Sequence, residues 1–189
     1  MLGGDGTTDE EIIDTNEMGG RPQGAPTADE KTSVETDLNL TAHNSFLTTY
    51  VLPITCEYKI TSEYGYRTHP ITGEEKLHAG IDLVGKHHTE ILTIADGIVT
   101  YAGIQNGYGN CIEIKHNING ETIYSFYAHL SEIDVKVGQR IEAGDIIGLE
   151  GGAKEDDNPG TSTGHHLHFE IRTDTGSGHS IDPRKYIEF

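Results

Sequence analysis

The chain has 189 residues, of which 34% are hydrophobic and 24 are glycine, and its 31 acidic against 13 basic side chains give a formal charge of −18. That is length for one full domain and an extension, and the acidity argues against non-specific binding to nucleic-acid phosphates or anionic lipid. No run approaches the roughly 18 apolar residues needed to cross a bilayer, and Met1 leads into Leu-Gly-Gly-Asp rather than a basic and then apolar leader, so a soluble chain without a visible export signal is expected.

Residues 1–50 hold 10 acids and 2 bases, with Gly, Pro, Thr and Asp scattered without period. This composition predicts a disordered acidic linker. Ile12 and Ile13 stand alone among acids, too little apolar surface to anchor a helix. From Val51 onward apolar and polar residues alternate between closely spaced glycines, the pattern of short strands and turns, so residues 51–189 are expected to form one all-β domain.

The predicted strands are Ile91–Ala95, Gly97–Ala102, Asn110–His116, Glu121–Ala128, Asp145–Leu149 and His166–Thr173, and Ile81-Asp-Leu-Val84 also reads as strand. Asn119-Gly120 predicts a type I′ hairpin, which needs two residues tolerant of positive φ, and makes the strands on either side antiparallel neighbours. Short helical pieces are expected only at Ser131–Asp134 and Asp182–Tyr186. Antiparallel sheets in a sandwich or barrel follow. Cys56 and Cys111 are too few to staple a fold, and both are expected as free, partly buried thiols.

The chain has 11 histidines and no tryptophan, and the histidines cluster. In His166-Leu-His-Phe-Glu-Ile171, alternation sends His166, His168 and Glu170 to one face and Leu167, Phe169 and Ile171 to the core. Two imidazoles then lie about 6–7 Å apart on an exposed or cleft-facing side. That spacing suits one metal ligand and one neighbour reaching the metal's water, or else two surface histidines on a solvated strand. His165 falls on the opposite face.

His78 and Asp82 would be about 13 Å apart on a straight strand, too far for one ion with ligand bonds of about 2.0–2.2 Å. Gly80 between them is expected to supply a kink or bulge. The clusters together offer two imidazoles and a carboxylate, with further histidines to spare, the composition of a catalytic zinc site with an open place for water. A structural site would more often use thiolates, and neither cysteine is near.

Taken in order, Thr61-Ser-Glu-Tyr-Gly-Tyr-Arg-Thr-His-Pro-Ile-Thr-Gly73, His78-Ala-Gly-Ile-Asp82, Ala95-Asp-Gly-Ile-Val99, Gly107-Tyr-Gly-Asn110, Tyr127-Ala-His-Leu-Ser131, Val137-Gly-Gln139 and Ser162-Thr-Gly-His-His-Leu-His-Phe-Glu170 resemble the M23 peptidases, the LytM-type, lysostaphin-like zinc endopeptidases. The resemblance covers about residues 55–187. It implies antiparallel sheets forming a groove, one zinc ion, and hydrolysis of peptide bonds in bacterial peptidoglycan outside the cytoplasm. Position by position it makes His78, Asp82 and His168 the zinc ligands and His129 and His166 the catalytic pair, orienting or deprotonating water and stabilising the oxyanion or protonating the leaving amine.

The chain departs from the family pattern in three places, two of them near the end of the site: His165 replaces the usual Pro, and residues 152–160 lengthen a normally short connection. The acids Glu155, Asp156 and Asp157 of that insert either line the groove, favouring an amine-bearing stem, or form a solvated loop. His87 and His88 replace a usual Gly-containing turn and are expected on the surface. A catalytically silent scaffold or activator of another wall hydrolase is the main alternative, but such proteins typically lack one of the five polar residues, all present here. A biotinyl or lipoyl carrier is suggested only by Val135–Gly148, and no attachment lysine stands where one is needed.

Overall fold

The computed structural model describes residues 50–68 and 73–189. The acidic linker expected over residues 1–50 lies, but for Tyr50, outside the described residues.

Among the described residues twelve strands form in chain order: β1 (Lys59–Ser62), β2 (Gly65–Thr68), β3 (Glu75–His78), β4 (Ile81–Val84), β5 (Glu90–Leu92), β6 (Gly97–Gln105), β7 (Gly109–Ile118), β8 (Glu121–Ile133), β9 (Arg140–Ile141), β10 (Ile146–Glu150), β11 (Leu167–Arg172) and β12 (Ser180–Ile181). One 3₁₀ turn follows at Pro183–Lys185, capped by the Asp182 side chain, which accepts from Arg184 N. Ten strands share one sheet whose main path runs β1-β4-β11-β8-β7-β6-β9, with β10 joined to β5 and β8, and β12 to β11. β2 and β3 make a separate two-stranded ribbon. Every pairing is antiparallel.

Alternation explains the layering. On β7, Ile112 and Ile114 enter the main core with Ile81, Leu83, Ile91, Ile123, Tyr127, Leu130, Leu167, Phe169 and Ile171. Their neighbour Cys111 turns the other way and joins Phe126 and Ala128 under Tyr108. The hairpin joining β7 to β8 is as predicted: Asn119 (φ 53°) and Gly120 (φ 83°) both take positive φ, and Ile118 pairs with Glu121. Both cysteines are free, Cys111 fully buried and Cys56 partly so.

Two expectations are corrected and one pair of alternatives is narrowed. The helical piece at Ser131–Asp134 does not form, because β8 runs on to Ile133. β10 offers it a fresh ladder there, Gly148 opposite Ile133 and Leu149 opposite Glu132, and four residues of helix cannot compete with ready-made sheet bonds. The strand expected at Ile91–Ala95 lies at Glu90–Leu92, since Thr93 N turns to Asp145 O and Ile94 N to the Tyr127 hydroxyl. Finally, of the two readings of the polar face of β11, the solvated one gives way to the cleft-facing one: His168 is 7%, Glu170 1% and Arg172 0% accessible.

Candidate metal centre and cleft

Strand register assembles most of the site. β11 lies between β4 and β8, and His168 is directly opposite Asp82 on one side and Ala128 on the other. His129 follows Ala128, and His166 precedes His168 by two residues, on the same face by alternation. His78 arrives separately, as the last residue of the ribbon strand β3. Ala79 and Gly80 then carry the chain from ribbon into main sheet, so the expected bend is present. Its cause differs from the expected conformational freedom. Gly80 is absent from the residues with positive φ, but a Cβ on it would sit 2.3 Å from the Phe169 carbonyl oxygen. Glycine is needed here for close approach.

The bend brings His78 Nε2 to 3.0 Å from Asp82 Oδ1 and 3.2 Å from His168 Nδ1, while His168 Nδ1 is 2.8 Å from Asp82 Oδ1. The remaining ring nitrogens decide what these atoms are. His78 Nδ1 is 2.8 Å from the Glu63 carbonyl oxygen, which only accepts, so that nitrogen carries the proton and Nε2 is bare. His168 Nε2 is 3.0 Å from Glu170 Oε1, a carboxylate oxygen, so Nε2 is protonated there too and Nδ1 is left for the centre. Two lone-pair nitrogens and a carboxylate oxygen thus converge on one point and require a cation between them. Tetrahedral ligands at bonds of about 2.0–2.2 Å stand roughly 3.3–3.6 Å apart, a small expansion from the spacing seen. The donor set fits a divalent zinc-type ion, and in its absence a proton takes the place.

The electrostatics agree. Burial works to raise the Asp82 pKa, but its contacts with His168 and His78 outweigh that and hold it well below the usual carboxylate range. Burial works to lower His168, yet the Asp82 and Glu170 carboxylates on either side push it up to about 9. Positive charge at this centre is strongly favoured.

Behind His168 stands a buried chain of polar groups. Arg172 Nε donates to Glu170 Oε2 at 2.7 Å and its Nη1 to Glu113 Oε2 at 3.0 Å. The guanidinium carbon lies 3.6 Å from the Phe126 ring centroid, and Nη2 has no hydrogen-bond partner among the described residues. A ligating imidazole held through its other nitrogen by a carboxylate keeps its tautomer and gains basicity. Alternation alone put Glu170 beside His168. Its partners Arg172 and Glu113 were missed, although Arg172 continues the same period-2 series, because their meeting depends on β7 and β11 flanking β8.

His129 sits where β8 exchanges partners, with φ +60°, a conformation a non-glycine residue adopts at a cost. The sheet register slips at this point, from Ala128 opposite His168 to Leu130 opposite Glu150. The result turns the His129 ring to within 4.7 Å of the His166 ring. His129 Nδ1 donates to the Pro159 carbonyl at 2.8 Å, leaving Nε2 bare. Burial first, then the neighbouring His166, push its pKa down to about 4. His166 is fixed similarly, Nδ1 donating to the Gly164 carbonyl at 2.9 Å while Nε2 lies 3.8 Å from Asp82 Oδ1.

The five predicted residues line one cleft of about 730 Å³, walled by Arg67 and Lys76 of the ribbon on one side and Asn106, Tyr108, Thr161 and Thr163 on the other. Burial and the Glu170 charge push the Tyr108 phenol up to about 12. Glu155, Asp156 and Asp157 do not line it, so the groove reading of the insert gives way: Asp156 turns instead onto His87 and His88. Those two histidines are at the surface as expected, but not unpartnered, and His165 Nδ1 reaches the buried Glu150 at 3.2 Å.

Comparison with known proteins places this site in context. Residues 76–183 match peptidase family M23. The DD-carboxypeptidase/endopeptidase Mpg of Neisseria meningitidis is 38% identical over 125 residues, 66% of this chain and 26% of that protein. The glycyl-glycine endopeptidase ALE-1 of Staphylococcus capitis is 36% identical over 126 residues, 66% of this chain and 33% of that protein. The chain thus spans about a quarter to a third of the length of these relatives. Among solved structures, the catalytic domain of lysostaphin from Staphylococcus simulans superposes with a TM-score of 0.57 at 33% identity, covering 68% of this chain and 91% of that one.

Proposed function

We propose, from the premise that the chain belongs to peptidase family M23, that it is a zinc-dependent endopeptidase that hydrolyses peptide bonds in the stem or cross-link peptides of bacterial peptidoglycan, acting outside the cytoplasm. In this reading residues 51–189 are the catalytic domain, residues 1–50 an acidic linker, His78, Asp82 and His168 the metal ligands, and His129 and His166 the catalytic pair. The observation that carries it is the convergence of three potential ligand atoms, each within 3.2 Å of the others, in a solvent-open cleft flanked by the imidazoles of His129 and His166.

A bound zinc ion supplies Lewis-acid chemistry, acidifying water and polarising a carbonyl oxygen. The protein supplies the rest. His129 is neutral at physiological pH and its Nδ1–H is committed to Pro159, so Nε2 is the group that takes a proton from the attacking water. The proton taken up by His129 Nε2 is the one given to the departing amine, while His166, with Nε2 3.8 Å from Asp82 Oδ1, can face the developing oxyanion. A low His129 pKa also makes its proton easy to give up, which serves the second half of the reaction. Arg67 and Lys76 give one cleft wall a positive character in an otherwise acidic protein, suited to carboxylate-bearing stem peptides.

All five polar positions of the reading are filled and converge, which speaks for an enzyme over a silent scaffold. The test is digestion of purified peptidoglycans of several cross-link types by the zinc-loaded protein, with new termini identified by mass spectrometry. New amino and carboxyl termini in the peptide moiety are expected. Intact peptides from every substrate, with zinc demonstrably bound, would refute the endopeptidase.

A further inference from the structure

We propose that the chain carries a second divalent transition-metal site, outside the cleft, formed by His87 Nε2, His88 Nε2 and the Asp156 carboxylate. Among the described residues two groups bring three such ligand atoms within 4.8 Å of one another: the centre already described, and this one. None of its residues lines the cleft.

The site is built by two loops distant in sequence. His87 and His88 lie in the connection from β4 to β5, and adjacent residues in extended chain would point to opposite sides. Here His88 adopts φ +63°, which lays the two imidazoles together with centroids 3.8 Å apart. Asp156, at the turn of the 152–160 insert, meets both: Oδ2 is 3.1 Å from His87 Nε2 and Oδ1 3.0 Å from His88 Nε2. Its carboxylate is aimed by the Ala153 N–H, which donates to Oδ2 at 2.9 Å.

Burial is graded as a binding site requires. The Asp156 side chain is 4% exposed, whereas His87 is 28% and His88 53% exposed. The anionic ligand sits at the base and the imidazoles open to solvent, leaving room for water in the remaining coordination places. Two imidazoles and one carboxylate suit zinc, nickel or copper, not the all-oxygen shells of calcium and magnesium. The rings are already side by side, with both Nε2 atoms turned to the one carboxylate.

An ion here would fasten the loop that follows Asp82 by a few residues to the insert that holds His129. Three residues after Asp156, the Pro159 carbonyl accepts the His129 Nδ1–H, and the neighbouring Asn158 carbonyl accepts the Asn110 N–H. The site is therefore a clamp on the orientation of His129. That consequence rests on the peptidase reading, whereas the metal site itself does not.

The test is metal stoichiometry on the full chain. Protein stripped with chelator is titrated with Zn²⁺ by calorimetry and with Co²⁺ by visible absorption, for wild type, H88Q, D156N and H168A. Wild type should take up two ions of unequal affinity. H88Q and D156N, conservative changes in two loops outside the cleft, should each keep the tighter ion and weaken the second at least tenfold. H168A should lose the tighter ion and keep the other. A wild-type stoichiometry of one that H168A abolishes, or a second ion bound equally by wild type, H88Q and D156N, overturns the proposal. Failure of the cleft centre reads differently, as an H168A protein that still binds the tighter ion.

Discussion

Replacing Glu170 by Gln probes how the buried polar chain serves the metal centre. Glu170 does two things: Oε1 holds His168 Nε2–H, and Oε2 binds Arg172 Nε. Gln preserves the shape and one acceptor but removes the charge. The outer carboxylate of a ligating histidine is worth about 10–100-fold in metal affinity, so E170Q should bind Zn²⁺ about 10–100-fold more weakly. It also leaves Arg172, 0% accessible, with Glu113 as its one charged partner, and breaking a buried pair costs about 3–5 kcal/mol. E113Q is the control. It strips Arg172 of its other carboxylate at similar cost in stability, yet touches no ligand. Zinc affinity by chelator competition, and urea unfolding of the metal-free protein, measure both quantities. E170Q should lose affinity and stability, E113Q stability alone. Equal loss of affinity in E113Q would show that Glu170 acts on the metal only through general loosening of β11, and the argument for a specific hold on His168 would fail.

Further expectations concern the centre itself. H168A should lose both tight zinc binding and turnover, whereas H129A should lose turnover by at least 100-fold, on the scale of a removed general base, with zinc retained by elemental analysis; equal metal loss in both would show the roles are misassigned. G80A should weaken zinc binding and lower the melting temperature, because the added Cβ meets the Phe169 carbonyl and pushes β4 from β11; unchanged affinity would contradict the close-approach argument. The metal-free protein should lose stability as pH rises from about 6.5 to about 9. His168 binds its proton more tightly folded than unfolded, so its contribution is complete below the ordinary histidine pKa of about 6.5 and gone above the folded value of about 9. At about 1.4 kcal/mol per pH unit the loss is at most about 3.5 kcal/mol. Over the same range zinc affinity should rise, about tenfold per unit, as the competing proton departs. Flat denaturation midpoints from pH 6 to 9 would exclude a raised His168.

The alternation of His166, His168 and Glu170 against Leu167, Phe169 and Ile171, and the Asn119-Gly120 turn, were legible because each depends on neighbours within a few residues. Strand period and turn chemistry are local. The five residues proposed for the site were named from their motifs, and the structure brings them to one cleft; a bend at Gly80 was legible through the distance that His78 and Asp82 had to close. The reason for that glycine was not, because the atom it makes room for belongs to Phe169, 89 residues further along. Nor was the His129 conformation, which follows from β8 exchanging β11 for β10 along one side while it stays paired with β7 on the other as far as Leu130. The same change of partners turned Ser131–Ile133 into strand.

What the amino-acid order determined by itself was which side chains carry lone pairs and charges, and which of them fall on a common face. Tertiary structure alone decided where those faces meet and which ring nitrogen of each histidine is left bare. It buried Arg172 between Glu170 and Glu113, and turned the acids of the 152–160 insert away from the cleft, with Asp156 onto His87 and His88. The physical reason is that register between distant strands is set by packing the whole apolar set into one core, and a group's tautomer or protonation state is set by what that packing leaves beside it.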